Sequence, residues 1–378
     1  MSGNTNGMRT IALLNCHSDD VYCFRKEIIE KLVELNYMVI LSCPESSRLD
    51  CFRGNDKIFI EDINIDRRGT NPIHDLKLLR DYIRLYKKYR PDVVCTFTIK
   101  PNIYGSIAAD IMGIPHINNI TGLGSGFQNG GVVQRIVITL YRQALRKSKM
   151  VFFQNMENQT TAIAARLIGS ATPYKCIPGS GVNLERFSVA EKETNDQIVF
   201  NYIGRVLKDK RIDDYLEAAQ RIKPKHPKTV FNIIGFIEPT EIHYKQLLDK
   251  LESQGIIHYC GSVNDVRPYV NASDAIIHPS SYGEGISNVL LESAASGKAI
   301  ITTDISGCKE CVDKGVSGFI YHAEDIEQLV DKIEQFISLT PLQRKEMGLA
   351  GRKKVEKEFD RNIVVDAYLK LIKQVVGI

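Results

Sequence analysis

The chain predicts an α/β protein built from two doubly wound, Rossmann-like domains. Three observations carry that expectation. The 378 residues are more than one hydrophobic core commonly holds. From residue 10 onward, short apolar runs alternate with amphipathic stretches, the pattern of strand–helix–strand units that form a parallel sheet. After the polar run SVAEKETND at 188–196, the alternation starts again at 198.

Composition narrows the class. With 43% hydrophobic and 25% charged residues the chain reads as globular, and a net charge of +4 does not imply a nucleic-acid partner. No apolar run approaches the roughly 18 residues of a bilayer span. The opening MSGNTNGMRT lacks the apolar centre of a signal peptide, so a cytoplasmic location is expected. Nine scattered cysteines, an odd number, argue for reduced thiols. Cys308 and Cys311 form a lone C-x-x-C without the second pair that a zinc site needs.

In the first half, strands are expected at 10–14, 37–43, 57–60, 92–98, 115–120, 151–154 and 175–178. Between them fall helices at 25–35, 73–89, 103–112, 134–150 and 157–168, with 15–24 left as a loop. The first strand-to-helix turn has no G-x-G-x-x-G, which disfavours a dinucleotide enzyme. ITGLGSGFQNGG at 120–131 spends glycine between a strand and a helix and can cradle an anion there, or form a ligand-free loop. The helix that follows carries Ile136, Val137, Leu140, Ala144 and Leu145 on an apolar side and Arg135, Arg142, Arg146, Lys147 and Lys149 on a basic one. Such a helix can rest on an anionic leaflet, or pack on the core with a solvated basic face.

The second half is expected to place strands at 198–203, 230–235, 256–259, 275–277 and 298–303, and helices at 241–252, 326–338, 341–358 and 361–376. Gly204 ends the first of these strands. Arg205 follows it and Lys210 stands just before a helix, two cations where a diphosphate would lie. In 278–321, HPSSYGEGISNVLLESAASGKAIITTDISGCKECVDKGVSGFIY, Gly283 and Gly285 allow a tight turn and Ser287 or Asn288 opens a helix. Glu284 and Glu292 stand eight positions apart, about two helical turns, so both can face one ligand. Carboxylates accept well from sugar hydroxyls, and a nucleotide sugar carries hydroxyls on both sides of its diphosphate.

This region resembles the E-x7-E motif of the family-4 retaining glycosyltransferases of the GT-B fold, over roughly forty contiguous residues. GRVLKDK, 204–210, is similar to the family's G-R-x4-K element. TIKPNIYGSIAADIMGIPHINN with the glycine loop resembles the bacterial members that extend polyprenyl-diphosphate-linked sugars. The resemblance implies an N-terminal acceptor-binding domain, 1–186, a C-terminal nucleotide-sugar domain, 187–358, and a helix, 359–378, that crosses back to the first.

It also implies roles. Arg205 and Lys210 hold the leaving diphosphate, aided by backbone amides of Gly285, Ile286, Ser287 and Asn288. Glu292 binds ribose, Glu284 orients the donor sugar near the reaction centre, and Thr121, Gly122 and Gly124 form the acceptor side. Many relatives carry a glycine pair in the first loop, where this chain has Ser18, Asp19 and Asp20, and a histidine near the end of the fifth strand, where Thr121 falls and His116 lies earlier. A catalytic histidine is therefore not carried over.

The implied activity is a retaining, metal-independent hexosyltransferase. It would move a hexose or N-acetylhexosamine from a UDP-sugar to a polyprenyl-diphosphate-linked saccharide at the inner-membrane surface, with no cofactor and no nucleic acid. A UDP-sugar 2-epimerase of the same fold and a non-catalytic nucleotide-sugar-binding module are the alternatives.

Overall fold

The computed structural model describes residues 8–66, 69, 71–123, 131–190, 196–283 and 285–377, without the side chains of 132 and 133. The chain divides into two compact units, Met1–Ser180 with Asn362–Ile378, and Gly181–Arg361.

In the first unit, the described residues form a parallel sheet of β1 (Thr10–Leu14), β2 (Met38–Cys43), β3 (Ile58–Asp62), β4 (Val93–Phe97), β5 (His116–Ile120), β6 (Met150–Phe153) and β7 (Tyr174–Cys176). Their order is β3-β2-β1-β4-β5-β6-β7. Ile11 stands opposite Val39 on one side and Val93 on the other, so the direction of winding reverses between β1 and β4. Strands buried on both faces need uninterrupted apolar runs, which is why TIALL and MVILSC are buried at every position.

Two expectations need correction here. Residues 18–24 belong to a helix, Ser18–Glu34, rather than to a loop. Asp19 and Asp20 occupy its first turn, where the helix dipole favours acids; their polarity hid the helix start. Likewise the helix expected over 103–112 begins with a π-helical turn, Pro101–Gly105, before Ser106–Met112.

The polar side chains within β5 are structural. The Asn118 amide donates to Thr96 Oγ1 at 2.7 Å and Ser106 Oγ at 2.6 Å. His116 is almost fully buried between Asn118 Oδ1 and Asp110 Oδ1, at 2.9 and 3.3 Å, and burial lowers its pKa. On the C-terminal helix Arg361–Val376, the Tyr368 ring packs on Phe152 and Phe97, with centroids 4.9 and 5.8 Å away. Its hydroxyl accepts from the Asn119 amide at 2.8 Å.

In the second unit, the described strands are β8 (Ile198–Ile203), β9 (Thr229–Ile234), β10 (His258–Gly261), β11 (Ala275–His278), β12 (Ala299–Thr303) and β13 (Gly318–Tyr321). Their parallel order is β10-β9-β8-β11-β12-β13, reversing between β8 and β11. The sequence reading lacked β13, whose start tolerates only glycine. A Cβ on Gly318 would lie 2.1 Å from the Ile300 carbonyl oxygen.

The division between units falls at Ser180/Gly181 and Arg361/Asn362, not at 186/187 and 358/359. Val182 forms a parallel bridge with Asp360, its amide donating to Phe359 O at 2.8 Å, and Phe187 is buried against Ile286, Leu290 and Leu291. The polar run at 188–196 drew the expected boundary too late because this apolar anchor precedes it.

Candidate active site

Open parallel sheets bind ligands beyond the carboxyl ends of their strands, where the strand order reverses. In the second unit that position is flanked by the segments leaving β8 and β11. Gly204 and Gly235 end the adjacent strands β8 and β9 at φ +154° and +149°. A Cβ on Gly235 would lie 1.8 Å from the Gly204 carbonyl oxygen, so the two strand ends meet backbone on backbone.

Arg205 leaves this junction with its guanidinium Nη1 2.9 Å from Glu238 Oε2. Lys210 closes a short 3-10 turn, Lys208–Lys210, ahead of the helix Ile212–Ile222. Its ammonium is deeply desolvated and sits near Arg205, which lowers its pKa to about 8. Lys208 is exposed, and Arg211 donates from Nη2 and Nε to Asp214 at 2.8 and 3.0 Å.

From β11 the chain turns into the helix Asn288–Ala295, with Ser287 at its N-cap. Ser287 makes no side-chain cap, so its hydroxyl takes none of the first-turn amides of Asn288, Val289 and Leu290. The Ser287 amide itself is committed to Gly307 O at 2.8 Å, which removes it from the expected set of phosphate donors. Among the described residues, Asn288 Oδ1 is buried without a partner. Ile286 is buried against Leu290 and Leu291, fixing the turn from below.

Glu292 lies on this helix as expected. Burial lifts its carboxyl to about 7, against the pull of Arg361 and Arg186. Arg186 also lines a cavity of about 260 Å³, together with Asp265, Arg267, Asn271 and Ser296. Glu284 and Gly124 lie outside the described residues. Gly285 is described at the turn, and in the first unit Thr121 follows β5, with Gly122 at φ +155°.

Four residues here had no signal in the sequence. Glu238 comes from the β9 loop, and Arg186 and Arg361 from segments far apart in the chain. His278, at the carboxyl end of β11, is 4% exposed, and its Nε2 is 3.5 Å from Ser287 Oγ. Desolvation and the nearby Lys210 push its pKa down to about 3, so the ring is neutral, and its Nδ1 has no partner among the described residues. The C-x-x-C thiols are both fully buried, and burial raises Cys308 to about 11. Among the described residues no cluster of His, Cys, Asp and Glu is placed to hold a metal ion.

Residues 184–354 match the family described as glycosyl transferases group 1, and residues 10–155 match glycosyl transferase 4-like. The chain belongs to the group 1 glycosyltransferases of the GT-B fold. The matched segment 184–354 of this glycosyltransferase contains Arg205, Lys210, Glu284 and Glu292. Over 97% of this chain and 99% of the relative, it is 26% identical to N,N'-diacetylbacillosaminyl-diphospho-undecaprenol alpha-1,3-N-acetylgalactosaminyltransferase of Campylobacter jejuni.

It is also 25% identical, over 80% of this chain and 81% of the relative, to the Escherichia coli UDP-Gal:alpha-D-GlcNAc-diphosphoundecaprenol alpha-1,3-galactosyltransferase. Its fold matches sucrose-phosphate synthase of Thermosynechococcus elongatus at a TM-score of 0.81, with 16% identity over 98% of this chain and 99% of that one. The enzyme is thus a hexosyltransferase by family.

Proposed function

We propose that this glycosyltransferase moves a hexose or N-acetylhexosamine, with retention, from a UDP-sugar to a polyprenyl-diphosphate-linked saccharide. The product would enter surface polysaccharide or glycoprotein glycan assembly. The observation that carries the reading is the pairing of Arg205 and Lys210 with a helix N-terminus left uncapped by its N-cap side chain, at the point where the sheet order reverses. Cations and oriented amides at such a place stabilise the charge that builds on a departing diphosphate.

The names of the Campylobacter and Escherichia relatives, both acting on undecaprenol-linked diphosphate sugars, support the acceptor class. In this reading Glu292 accepts from the ribose hydroxyls and Glu284 orients the donor sugar. Thr121, Gly122 and Gly124 lie on the acceptor side. The acceptor attacks the face the diphosphate leaves, and a donor phosphate oxygen takes the acceptor's proton, so no metal or cofactor is called for.

A lipid-linked acceptor brings the enzyme to the inner-membrane surface. The helix Gly131–Leu145 and the turn after it supply a contact for the cytoplasmic leaflet, with exposed Arg135, Ile136, Arg146, Lys147 and Lys149. Arg142 is spent elsewhere, on the carbonyls of Ala165 and Arg166 at 2.8 and 2.9 Å. Each basic side chain near an anionic leaflet contributes about 1 kcal/mol. Flotation with phosphatidylglycerol vesicles is therefore expected to fall by about tenfold or more when Arg146, Lys147 and Lys149 become Glu. Flotation unchanged by the triple substitution removes the helix from the membrane contact.

The test of the function itself begins with thermal shifts against UDP, GDP, ADP and CMP. A ligand that binds only the folded state raises the midpoint with occupancy. A selective rise with UDP, followed by an extended lipid-linked acceptor on adding UDP-sugars, is the expected result. A rise with GDP alone moves the donor to another class. Formation of a 2-epimer without an acceptor replaces transfer by epimerisation.

A further inference from the structure

We propose that Glu238 is a positioning residue for Arg205, holding its guanidinium at the place where the donor diphosphate docks. The proposal rests on the reading that Arg205 binds that diphosphate.

An arginine at a strand end is a long, many-jointed side chain, and ordering it at the moment of binding costs conformational entropy. Here the ordering is built in from both sides. Below, the Tyr202 hydroxyl donates to the Arg205 carbonyl at 2.7 Å. The adjoining Val206 is bridged to Ile237, with Val206 N donating to Phe236 O at 2.9 Å and Glu238 N donating to Val206 O at 3.1 Å. Gly235, on which a Cβ would lie 1.8 Å from the Gly204 carbonyl oxygen, brings the β9 loop close enough for that bridge. Above, the Glu238 carboxylate takes Nη1 at 2.9 Å; the Glu238 side chain is 15% exposed and that of Arg205 32%.

Among the described residues, Glu238 is the one hydrogen-bond partner of the Arg205 guanidinium. A guanidinium has five N–H groups in a rigid fork, so one bond restrains its position and leaves the others for phosphate oxygens. A carboxylate beside a diphosphate site works against binding by like-charge repulsion. Its presence there is explained by what it does to the arginine: it trades some attraction for a fixed geometry.

That trade separates the substitutions. Glu238→Ala frees the guanidinium, whereas Glu238→Gln keeps an oxygen acceptor and removes the negative charge. The experiment is calorimetric binding of UDP and of uridine to the full chain as wild type, Glu238→Ala, Glu238→Gln, Arg205→Ala and the Arg205→Ala/Glu238→Ala double variant. Arg205→Ala is expected to weaken UDP about 10- to 100-fold, the range of a hydrogen bond to a charged group. Glu238→Ala is expected to weaken UDP about 5- to 10-fold, Glu238→Gln to bind as wild type or tighter, and the double variant to match Arg205→Ala alone.

Uridine affinity stays level throughout, which a general loosening of the fold would not allow. Independent, multiplicative effects of the two alanines overturn the proposal, as does a loss of uridine binding equal to that of UDP. If Arg205→Ala is impaired and Glu238→Ala is not, only the positioning role falls. If Arg205→Ala binds UDP normally, or the wild type binds no UDP, the diphosphate reading falls and the proposal with it.

Discussion

UDP affinity is expected to follow a bell in pH, rising to about pH 7 and falling above about pH 8, with each limb owned by one residue. The rising limb belongs to Glu292. Burial holds its carboxyl protonated up to about 7, and a carboxylate accepts two ribose hydroxyls more strongly than the acid does. Below that pH, binding must first expel a proton, and affinity drops toward tenfold per pH unit. The falling limb belongs to Lys210, whose ammonium loses its proton near 8 because desolvation and Arg205 oppose the charge. The incoming diphosphate favours that charge, so binding at higher pH takes up a proton. Glu292→Gln should remove the limb centred near 7, leaving only the ionisation of UDP itself below it, and Lys210→Gln should remove only the basic limb. The terminal phosphate of UDP ionises near pH 6 in every variant, so differences between isotherms isolate the protein groups. A wild-type curve flat from about pH 6 to 9 would rule out both assignments.

The same two groups act on folding with the opposite preference. The Glu292 pKa lies above its ordinary 4.5 in the folded chain. Its contribution to stability is therefore full below about 4.5 and lost as pH rises through about 7. The Lys210 pKa lies below its ordinary 10.5, so its contribution is full above about 10.5 and lost as pH falls through about 8. Between 7 and 8 both groups are charged and neither charge is well solvated. The ligand-free protein carries both penalties in the window where the ligand binds best. An active site that keeps a desolvated anion and a desolvated cation ready gives up stability for preorganisation, and UDP should raise the thermal midpoint most in that window.

How much of this could be read from the sequence follows from how local each feature is. Strands buried on both faces read as nearly continuous apolar runs, so β1, β8 and β12 announce themselves, and the alternation fixes the class of fold. The N-cap Ser287 and the helix bearing Glu292 are equally local. Arg205 and Lys210 came through their resemblance to a known element, since lysines and arginines at a turn are otherwise ordinary surface. Residues that act through folding together were invisible. Glu238 reaches Arg205 only because Gly204 and Gly235 let two strand ends touch. Arg186 and Arg361 influence Glu292 from positions 106 residues before and 69 after it, from 292 − 186 and 361 − 292. The N-terminal turn of the first helix was missed because its acids, which stabilise it there, carry no apolar period.

The largest loss of activity is expected at Lys210, and its comparison with Glu284 separates binding from chemistry. In the proposed reading Lys210 is a desolvated cation beside the leaving diphosphate as it gathers charge. Removing one preorganised donor of that kind slows reactions about 100- to 1,000-fold. Lys210→Ala should do so while also weakening UDP, because the charge serves ground state and transition state alike. Lys210→Arg should restore little. A planar fork spreads its charge and directs its donors differently from the compact ammonium that stands near Arg205 here. Glu284→Ala should lose transfer to a comparable degree with UDP affinity unchanged, since its role falls on the sugar rather than on the nucleotide. Single-turnover transfer measured beside UDP binding gives both numbers for each variant. UDP affinity unchanged in Lys210→Ala would take the lysine off the diphosphate. Weakened UDP in Glu284→Ala would move that glutamate toward the nucleotide, leaving the sugar without its assigned carboxylate.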